Sequence, residues 1–168
     1  MSPGTLLRRA IPEDVPALAA LEAACFTHPW TPAQLREEVA RVPPDAVLVL
    51  EGPAFPGGSG AGIRAYCSFR LVVDEMHVMN VAVDPRCRRE GHARRLLTFA
   101  MARAAQAGAR RALLELRAGN REALALYESL GFGRLGTRRG YYREPAEDAL
   151  VLARELGAAQ SLSSHLRR

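Results

Sequence analysis

The fold is decided by residues 81–97, which read Val81-Ala82-Val83-Asp84-Pro85-Arg86-Cys87-Arg88-Arg89-Glu90-Gly91-His92-Ala93-Arg94-Arg95-Leu96-Leu97. The apolar run before Asp84-Pro85 predicts the end of a strand, and the pattern from His92 onward predicts a helix. Gly91 and Ala93 keep side chains away from the backbone amides of the turn, and amides at a helix N-terminus favour anions. Positive charge around that turn comes from Arg88, Arg89, Arg94 and Arg95. The spacing alone fits a pyrophosphate-binding loop and, equally well, an ordinary capped helix with a basic surface.

The sequence argues against two common phosphate-binding motifs. All 23 basic residues among the 168 are arginine, so a P-loop, which requires a lysine, is excluded. The pattern GxGxxG occurs at residues 131–136 (GFGRLG), but there it follows a predicted helix and leads into a predicted strand, whereas the dinucleotide-binding motif follows a strand and opens a helix. The net charge of +5 and the isoelectric point of about 9.7 favour an anionic partner, such as phosphate, nucleic acid or an acidic protein.

Length and patterning predict one domain over residues 5–156, followed by a flexible basic tail over residues 157–168. No apolar run approaches the roughly 20 residues of a membrane span, and no secretory signal is evident. We therefore expect a cytoplasmic protein with no membrane role, as a monomer or weak dimer. Three widely spaced cysteines without a CxxC pair favour reduced thiols over a zinc site.

Hydrophobic periodicity and capping signals predict the element order β-α-α-β-β-β-α-β-α-β-β. That order predicts an α/β fold, a mixed sheet with helices on both faces. A turn is expected at Asp74-Glu75, between strands at 64–73 and 76–83. The last two strands are expected at 132–138 and 149–155, which places Tyr141 and Tyr142 in the loop after a strand.

Several motifs resemble those of one enzyme family. Arg88-x-x-Gly91-x-Ala93 matches (Q/R)xxGx(G/A), the acetyl-CoA signature of the GNAT N-acetyltransferases. The resemblance extends to residues 80–85 (NVAVDP), 114–120 (LELRAGN), 125–132 (ALYESLGF), 138–142 (RRGYY) and 147–149 (EDA). Over roughly residues 5–156 the chain is similar to the branch of this family that acetylates the N-terminal alanine of a small-subunit ribosomal protein.

The resemblance implies the GNAT fold, with a mostly antiparallel sheet of about seven strands, and acetyl-CoA as the acetyl donor. Glu115 is implied as the general base and Tyr127 as the general acid, and no metal is required. Residues 81–83 are expected to pair with the pantetheine arm, and residues 89–94 to wrap the pyrophosphate. The cofactor-binding residues implied in this way are Val81, Ala82, Val83, Arg88, Arg89, Glu90, Gly91, His92, Ala93, Arg94 and Asn120.

Three residues depart from the family pattern. His92 stands where the family usually has an aliphatic residue, and Glu90 places a carboxylate in the phosphate loop. Gly140 replaces the usual polar residue before the two tyrosines. The first two departures bear on cofactor affinity, and the third bears on substrate choice.

The chemistry of the residue types is compatible with these roles and also with plainer ones. Glu115 lies between Leu114 and Leu116, where a carboxylate is costly unless it is paired, and a structural ion pair with an arginine explains it as well as catalysis does. Asn120 is also a natural N-cap. Tyr127 is also suited to be a half-buried core aromatic, yet a phenol with an ordinary pKa near 10 can protonate a thiolate whose thiol pKa is near 8.5.

The substrate-binding residues that we expect are Trp30, Glu75, Tyr141 and Tyr142. Two phenols can close over a peptide N-terminus and hydrogen-bond its backbone, although packing at a strand end explains them too. Trp30, in His28-Pro29-Trp30, would form the opposite wall, or serve as a core anchor. Glu75 and its neighbour Asp74 would attract a cationic amine, or form a solvated turn.

The sequence thus predicts an enzyme that transfers acetyl from acetyl-CoA to the N-terminal α-amine of a protein, a ribosomal protein beginning with alanine. Direct transfer in a ternary complex is expected, with no direct nucleic-acid role. One alternative is a GNAT enzyme that acts on a small amine or a lysine side chain. A second alternative is an RNA- or ribosome-binding module without catalysis, but the sequence contains no known RNA-binding motif.

Overall fold

The computed structural model describes residues 4–58 and 62–157, so the predicted tail lies almost entirely outside the described residues. The strands are β1 (Leu6–Arg9), β2 (Ala46–Gly52), β3 (Gly62–Val72), β4 (Glu75–Val83), β5 (Arg111–Arg117), β6 (Gly133–Arg143) and β7 (Ala146–Glu155). The α-helices are α1 (Val15–Cys25), α2 (Pro32–Val39), α3 (His92–Gln106) and α4 (Arg121–Ser129). Short 3-10 helices cover Pro12–Asp14 and Pro85–Cys87.

Among the described residues the strands form a seven-stranded sheet in the order β1-β2-β3-β4-β5-β7-β6. The pairs β1–β2, β2–β3, β5–β7 and β6–β7 are antiparallel. β4 pairs with β5 in parallel through Glu75, Met76 and His77. The predicted element order and the mixed, mostly antiparallel sheet are confirmed.

The chain forms two compact units, and the first contains residues 4–58, 62–70 and 78–100. Its core includes Leu18 and Leu21 of α1, Leu35 of α2, Val49 of β2 and Tyr66 of β3. Helix α2 begins with a capping box, because the Thr31 side chain accepts a hydrogen bond from the Gln34 backbone N–H while the Gln34 side chain accepts one from the Thr31 N–H. This cap fixes where the chain turns after residues 26–31.

The second unit contains residues 71–77 and 101–157. Strand β5 alternates strictly, with Ala112, Leu114 and Leu116 buried and the residues between them half-buried. Strand β7 lies between β5 and β6 and carries the buried Ala149, Leu150 and Leu152. Strand β6 is exposed along its whole length except at Tyr142, which is half-buried.

Two local predictions were wrong. Tyr141 and Tyr142 do not lie in a loop after the strand but inside β6, because β6 and β7 extend to a tight turn at Glu144-Pro145. The turn after β3 consists of Val73 and Asp74, and Glu75 is already the first residue of β4. Val73 has a φ of 57°, an unusual value for a β-branched residue, which local sequence patterns do not suggest.

Candidate active site

The loop before α3 has the backbone geometry of an anion-binding turn. Arg89 and Gly91 have φ angles of 64° and 79°, in the left-handed region. A Cβ on Gly91 would meet no described atom within 4 Å, so the backbone there is openly approachable. The next residue, His92, begins a helix of 15 residues, and the N–H groups of a first helical turn have no intrahelical acceptors. The loop therefore fits the pyrophosphate of a nucleotide cofactor.

The two unusual residues of this loop are partners of each other. His92 is buried at 5% exposure, and its Nε2 atom lies 3.0 Å from Oε2 of Glu90. Glu90 is itself exposed. The carboxylate that departs from the family pattern therefore contacts the imidazole that also departs from it, and the two substitutions form one local pair.

The last residues of β4 alternate in burial. Ala82 is buried in the core of the first unit, while Val81 and Val83 are half-buried on the other face. The Val83 carbonyl accepts a hydrogen bond from the Cys25 thiol, at 3.3 Å. The ladder between β4 and β5 ends at His77, so the backbone of residues 81–83 is not engaged in it.

Glu115 projects from the half-buried face of β5, opposite to the buried Leu114 and Leu116. Its side chain is 29% exposed, and Oε1 lies 3.1 Å from Nε of Arg138 on β6. The Tyr141 hydroxyl also hydrogen-bonds this carboxylate, which raises the pKa of Tyr141 above its ordinary value. The ion pair considered in the sequence analysis is thus present, and a phenol shares the same carboxylate.

An irregularity in the β6–β7 hairpin delivers the two phenols to this face. The register passes from Arg138↔Ala149 directly to Tyr142↔Glu147, so three residues of β6 face Asp148 alone. Gly140, in the middle of the bulge, has a φ of 62°, and its N–H donates to Oδ1 of Asp148 at 2.8 Å. The left-handed conformation accounts for glycine at this position.

The two phenol rings contact each other edge to face, with centroids 5.2 Å apart. The Arg117 guanidinium lies 4.1 Å from the centroid of the Tyr142 ring. Burial is the main reason that the pKa of Tyr142 is raised, and the nearby Glu115 charge adds to it. Three of the predicted site residues, Glu115, Tyr141 and Tyr142, are therefore brought together within the second unit.

Tyr127 and Asn120 lie at opposite ends of α4. The Tyr127 ring is 8% exposed and packs edge to face on Phe132, with centroids 5.7 Å apart. The Asn120 side chain accepts a hydrogen bond from the Ala123 N–H at 3.1 Å and so caps the helix. The plainer structural role of each residue is observed, and the catalytic and cofactor roles stay predictions.

Trp30 is held by a buried carboxylate that sequence reasoning missed. Glu22 of α1 is fully buried, and it accepts hydrogen bonds from the Trp30 N–H at 2.7 Å, from Asn80 Nδ2 at 2.5 Å and from the Tyr66 hydroxyl. Burial raises the pKa of Glu22 above its ordinary value, and burial beside this carboxylate also raises that of Tyr66. A signal was present, since Glu22 is four residues after Leu18 and therefore on the apolar stripe of α1.

Glu75 already has cationic partners within the protein. It forms an ion pair with Arg111 of β5, and His77 Nε2 lies 3.3 Å from its second oxygen. The Arg111 hydrogen bond is the main reason that the pKa of Glu75 is lowered. Because Glu75 is paired with Arg111 and His77, it is neither a fully solvated turn residue nor an unpaired anion. Its role in binding substrate stays a prediction.

Neither a metal centre nor a membrane span is evident in the described part of the chain. Residues 4–58 and 62–157 contain no group of three or more histidine, cysteine or acidic side chains arranged to hold a metal ion. Within the same ranges, every helix is too short or too polar to cross a bilayer.

Comparison with known proteins decides the family. The model of the acetyltransferase (GNAT) family matches residues 15–132. The chain belongs to this family. The predicted resemblance to GNAT N-acetyltransferases is thereby confirmed.

Alignments with relatives in the GNAT family cover most of this chain. It is 32% identical over 142 residues to the [ribosomal protein bS18]-alanine N-acetyltransferase of Escherichia coli (strain K12), covering 83% of this chain and 90% of the relative. It is 36% identical over 146 residues to the N-alpha-acetyltransferase RimI of Mycobacterium tuberculosis, covering 86% and 88%. The crystal structure of the ribosomal-protein-S18-alanine N-acetyltransferase from Escherichia coli superposes with a TM-score of 0.79 at 28% identity, covering 94% of this chain and 97% of that one.

Proposed function

We propose that this GNAT protein transfers the acetyl group of acetyl-CoA to the N-terminal α-amine of a protein, by direct transfer in a ternary complex. The names of the Escherichia coli and Mycobacterium tuberculosis relatives support this activity. The observation within the chain that carries the proposal is the Glu115 carboxylate with the Tyr141 phenol hydrogen-bonded to it and Tyr142 beside it. The proposed protein substrate is ribosomal and begins with alanine, as the names of the relatives suggest.

Acetyl-CoA would be held chiefly by the loop before α3. The left-handed backbone at Arg89 and Gly91 and the helix N-terminus at His92 support a pyrophosphate there. The backbone of residues 81–83 lies outside the β4–β5 ladder, which supports its pairing with the pantetheine amides. Bound acetyl-CoA supplies a thioester, whose carbonyl carbon is the electrophile.

Glu115 is the proposed base, acting directly or through a water molecule. A protein N-terminus arrives as an ammonium ion with an ordinary pKa near 8, and it must lose a proton before it can attack. Glu115 takes that proton, and the amine nitrogen then attacks and forms the new C–N bond. The nitrogen releases its second proton to solvent as the C–S bond breaks. Backbone N–H groups of residues 81–83 would stabilise the oxyanion.

Tyr127 is the proposed acid that protonates the departing thiolate of CoA. The ordinary pKa of a phenol, near 10, keeps the hydroxyl protonated at neutral pH; transfer to a thiolate whose thiol pKa is near 8.5 is uphill by about 2 kcal/mol, and the tyrosinate then regains a proton from solvent. Packing of the buried ring on Phe132 restricts where the hydroxyl can point.

Selectivity for an α-amine is proposed to come from Tyr141 and Tyr142, with Trp30 and Glu75 as further contributors. Phenols can hydrogen-bond the backbone of a peptide's first residues, which a lysine side chain cannot imitate. Removing a proton from lysine, with an ordinary pKa of about 10.4, also costs roughly 3 kcal/mol more than from an α-ammonium.

A peptide panel with acetyl-CoA tests the proposal by mass spectrometry. Peptides with free N-termini beginning with Ala, Ser or Met are compared with N-blocked peptides that contain lysine. We expect acetylation at the free α-amine, fastest for Ala, and we expect Glu115→Gln to lose at least about 100-fold in turnover. Equal or faster acetylation of blocked lysine peptides would instead support an enzyme for side-chain or small amines.

A further inference from the structure

The Glu115 carboxylate already has a cationic partner within the protein, because it forms an ion pair with Arg138. We propose that Arg138 is a placeholder cation, which the substrate's ammonium must displace from Glu115 before each reaction. The inference rests on the proposed role of Glu115 as the base. It assigns to Arg138 a function in setting the affinity for the amine substrate.

The strand register explains how Arg138 reaches the carboxylate. Arg138 pairs with Ala149 of β7, and Ala149 pairs with Arg117 of β5, two residues after Glu115. Paired residues and residues two apart project from the same face of a sheet, so Arg138 and Glu115 share one face. Ala149 between them has only a methyl group, which allows the arginine to extend across β7 to within 3.1 Å of Oε1.

The pair is built for exchange rather than for permanent burial. The Arg138 side chain is 59% exposed and that of Glu115 is 29% exposed, so water solvates each partner when they separate. Exposed ion pairs contribute little to stability, and many can be broken at almost no cost. In the Glu38–Arg70 ion pair, by contrast, the carboxylate is buried, with 7% of the Glu38 side chain exposed.

The groups around the pair leave the carboxylate in place when the arginine departs. The Tyr141 hydroxyl hydrogen-bonds Glu115 independently, and the bulge that positions Tyr141 is fixed by the bond from Gly140 to Asp148. The Arg138 guanidinium also lies 5.7 Å from the Tyr141 ring centroid, so it borders the same phenol that is proposed to contact substrate.

Two charge effects make the arginine a competitor of the substrate. A guanidinium keeps its proton throughout the working pH range, so it cannot be deprotonated by the base and can only leave. While it remains against Glu115, a second cation approaching the same oxygens meets like-charge repulsion. Removing the arginine should therefore improve binding of the amine substrate without improving that of acetyl-CoA.

The test is steady-state kinetics of Arg138→Leu with an Ala-initiated peptide and acetyl-CoA, each varied in turn. The matched control is Arg139→Leu, which removes the same charge from the adjacent, exposed position of β6. We expect the peptide KM of Arg138→Leu to fall about two- to five-fold, the range of one exposed ion pair, with kcat within about two-fold. We expect the acetyl-CoA KM to be unchanged, and Arg139→Leu and Arg138→Lys to resemble the wild type.

Several outcomes would overturn the proposal. These are an unchanged or higher peptide KM, a ten-fold loss of kcat, or an equal fall in KM for Arg139→Leu, which would be a general charge effect. Arg138→Gln provides a second uncharged variant if the leucine protein melts early, and it should show the same fall in KM. If the wild-type protein does not acetylate the peptide at all, the proposed function fails with it, whereas an active wild type with an unaffected variant refutes the placeholder alone.

Discussion

Replacing Tyr66 by Phe removes one hydroxyl from the network around Glu22 and leaves the ring in place. Tyr66 is fully buried, donates to the Glu22 carboxyl and accepts a hydrogen bond from Asn80 Nδ2 at 2.9 Å. Asn80 keeps its second contact, to Glu22 at 2.5 Å, so no amide donor is stranded. A hydrogen bond to a carboxylate is worth about 1.5–3 kcal/mol, and we expect unfolding free energy to fall by about 2 kcal/mol.

Thermal and urea unfolding measure this loss. For a chain of 168 residues, about 2–4 °C of Tm corresponds to each kcal/mol, so the expected fall in Tm is roughly 4–8 °C. The urea m-value should be unchanged. Tyr141→Phe removes the same hydroxyl from a ring that is 50% exposed, and we expect it to change stability by less than about 0.5 kcal/mol. A loss for Tyr66→Phe no larger than that of the control would refute the reasoning.

Four further predictions concern the cofactor, the acid, the peptide and pH. Acetyl-CoA should raise Tm by mass action, and no shift for the wild type would contradict the cofactor assignment. Gly91→Asp should abolish the shift because it adds backbone strain and a negative charge. Gly91→Ala adds strain alone and should only reduce the shift. Tyr127→Phe should lower turnover about 100-fold or more with a near-native melt, and activity within a few-fold of wild type would leave it a packing residue. Replacing both Tyr141 and Tyr142 by Ala should raise the peptide KM far more than the acetyl-CoA KM, and equal increases would argue against substrate contact. Because burial raises the pKa of Glu22, its contribution to stability is fully present below its ordinary pKa of 4.5 and is lost as pH rises through the raised value. The stability of wild type relative to Glu22→Gln should therefore decline as pH rises above 4.5, and a constant difference would contradict the raised pKa.

Local sequence patterns predicted well those elements whose signals lie within the element. The alternation of β5 over Arg111–Arg117 is uninterrupted, so a local pattern is sufficient to locate this strand. Helix α3 begins at His92 as predicted, since Gly91 supplies the left-handed residue that precedes it. The motif resemblance likewise gave the family correctly.

The features that local sequence patterns did not predict depend on strand register and on burial. The bulge at residues 139–141 interrupts the alternation of β6, which is why Tyr141 and Tyr142 were assigned to a loop. The partnership of Arg138 with Glu115 depends on a register through β7, which a local pattern does not encode. For Glu22, the acidic residue on an apolar helix stripe was visible, but its three donors come from separate parts of the chain.

The exposure of β6 has a consequence for how the protein behaves at high concentration. Among the strands that the structure describes, β6 ends the strand order, and such an edge is a template onto which a strand of another molecule can add. Two register shifts disrupt its flatness, and its repeated positive charge makes two such edges repel, through Arg134, Arg138, Arg139 and Arg143. That repulsion is screened over about 10 Å at 0.1 M salt and over about 3 Å at 1 M. Colloidal stability should therefore be greatest in dilute buffer and should deteriorate as salt or polyanions neutralise this edge.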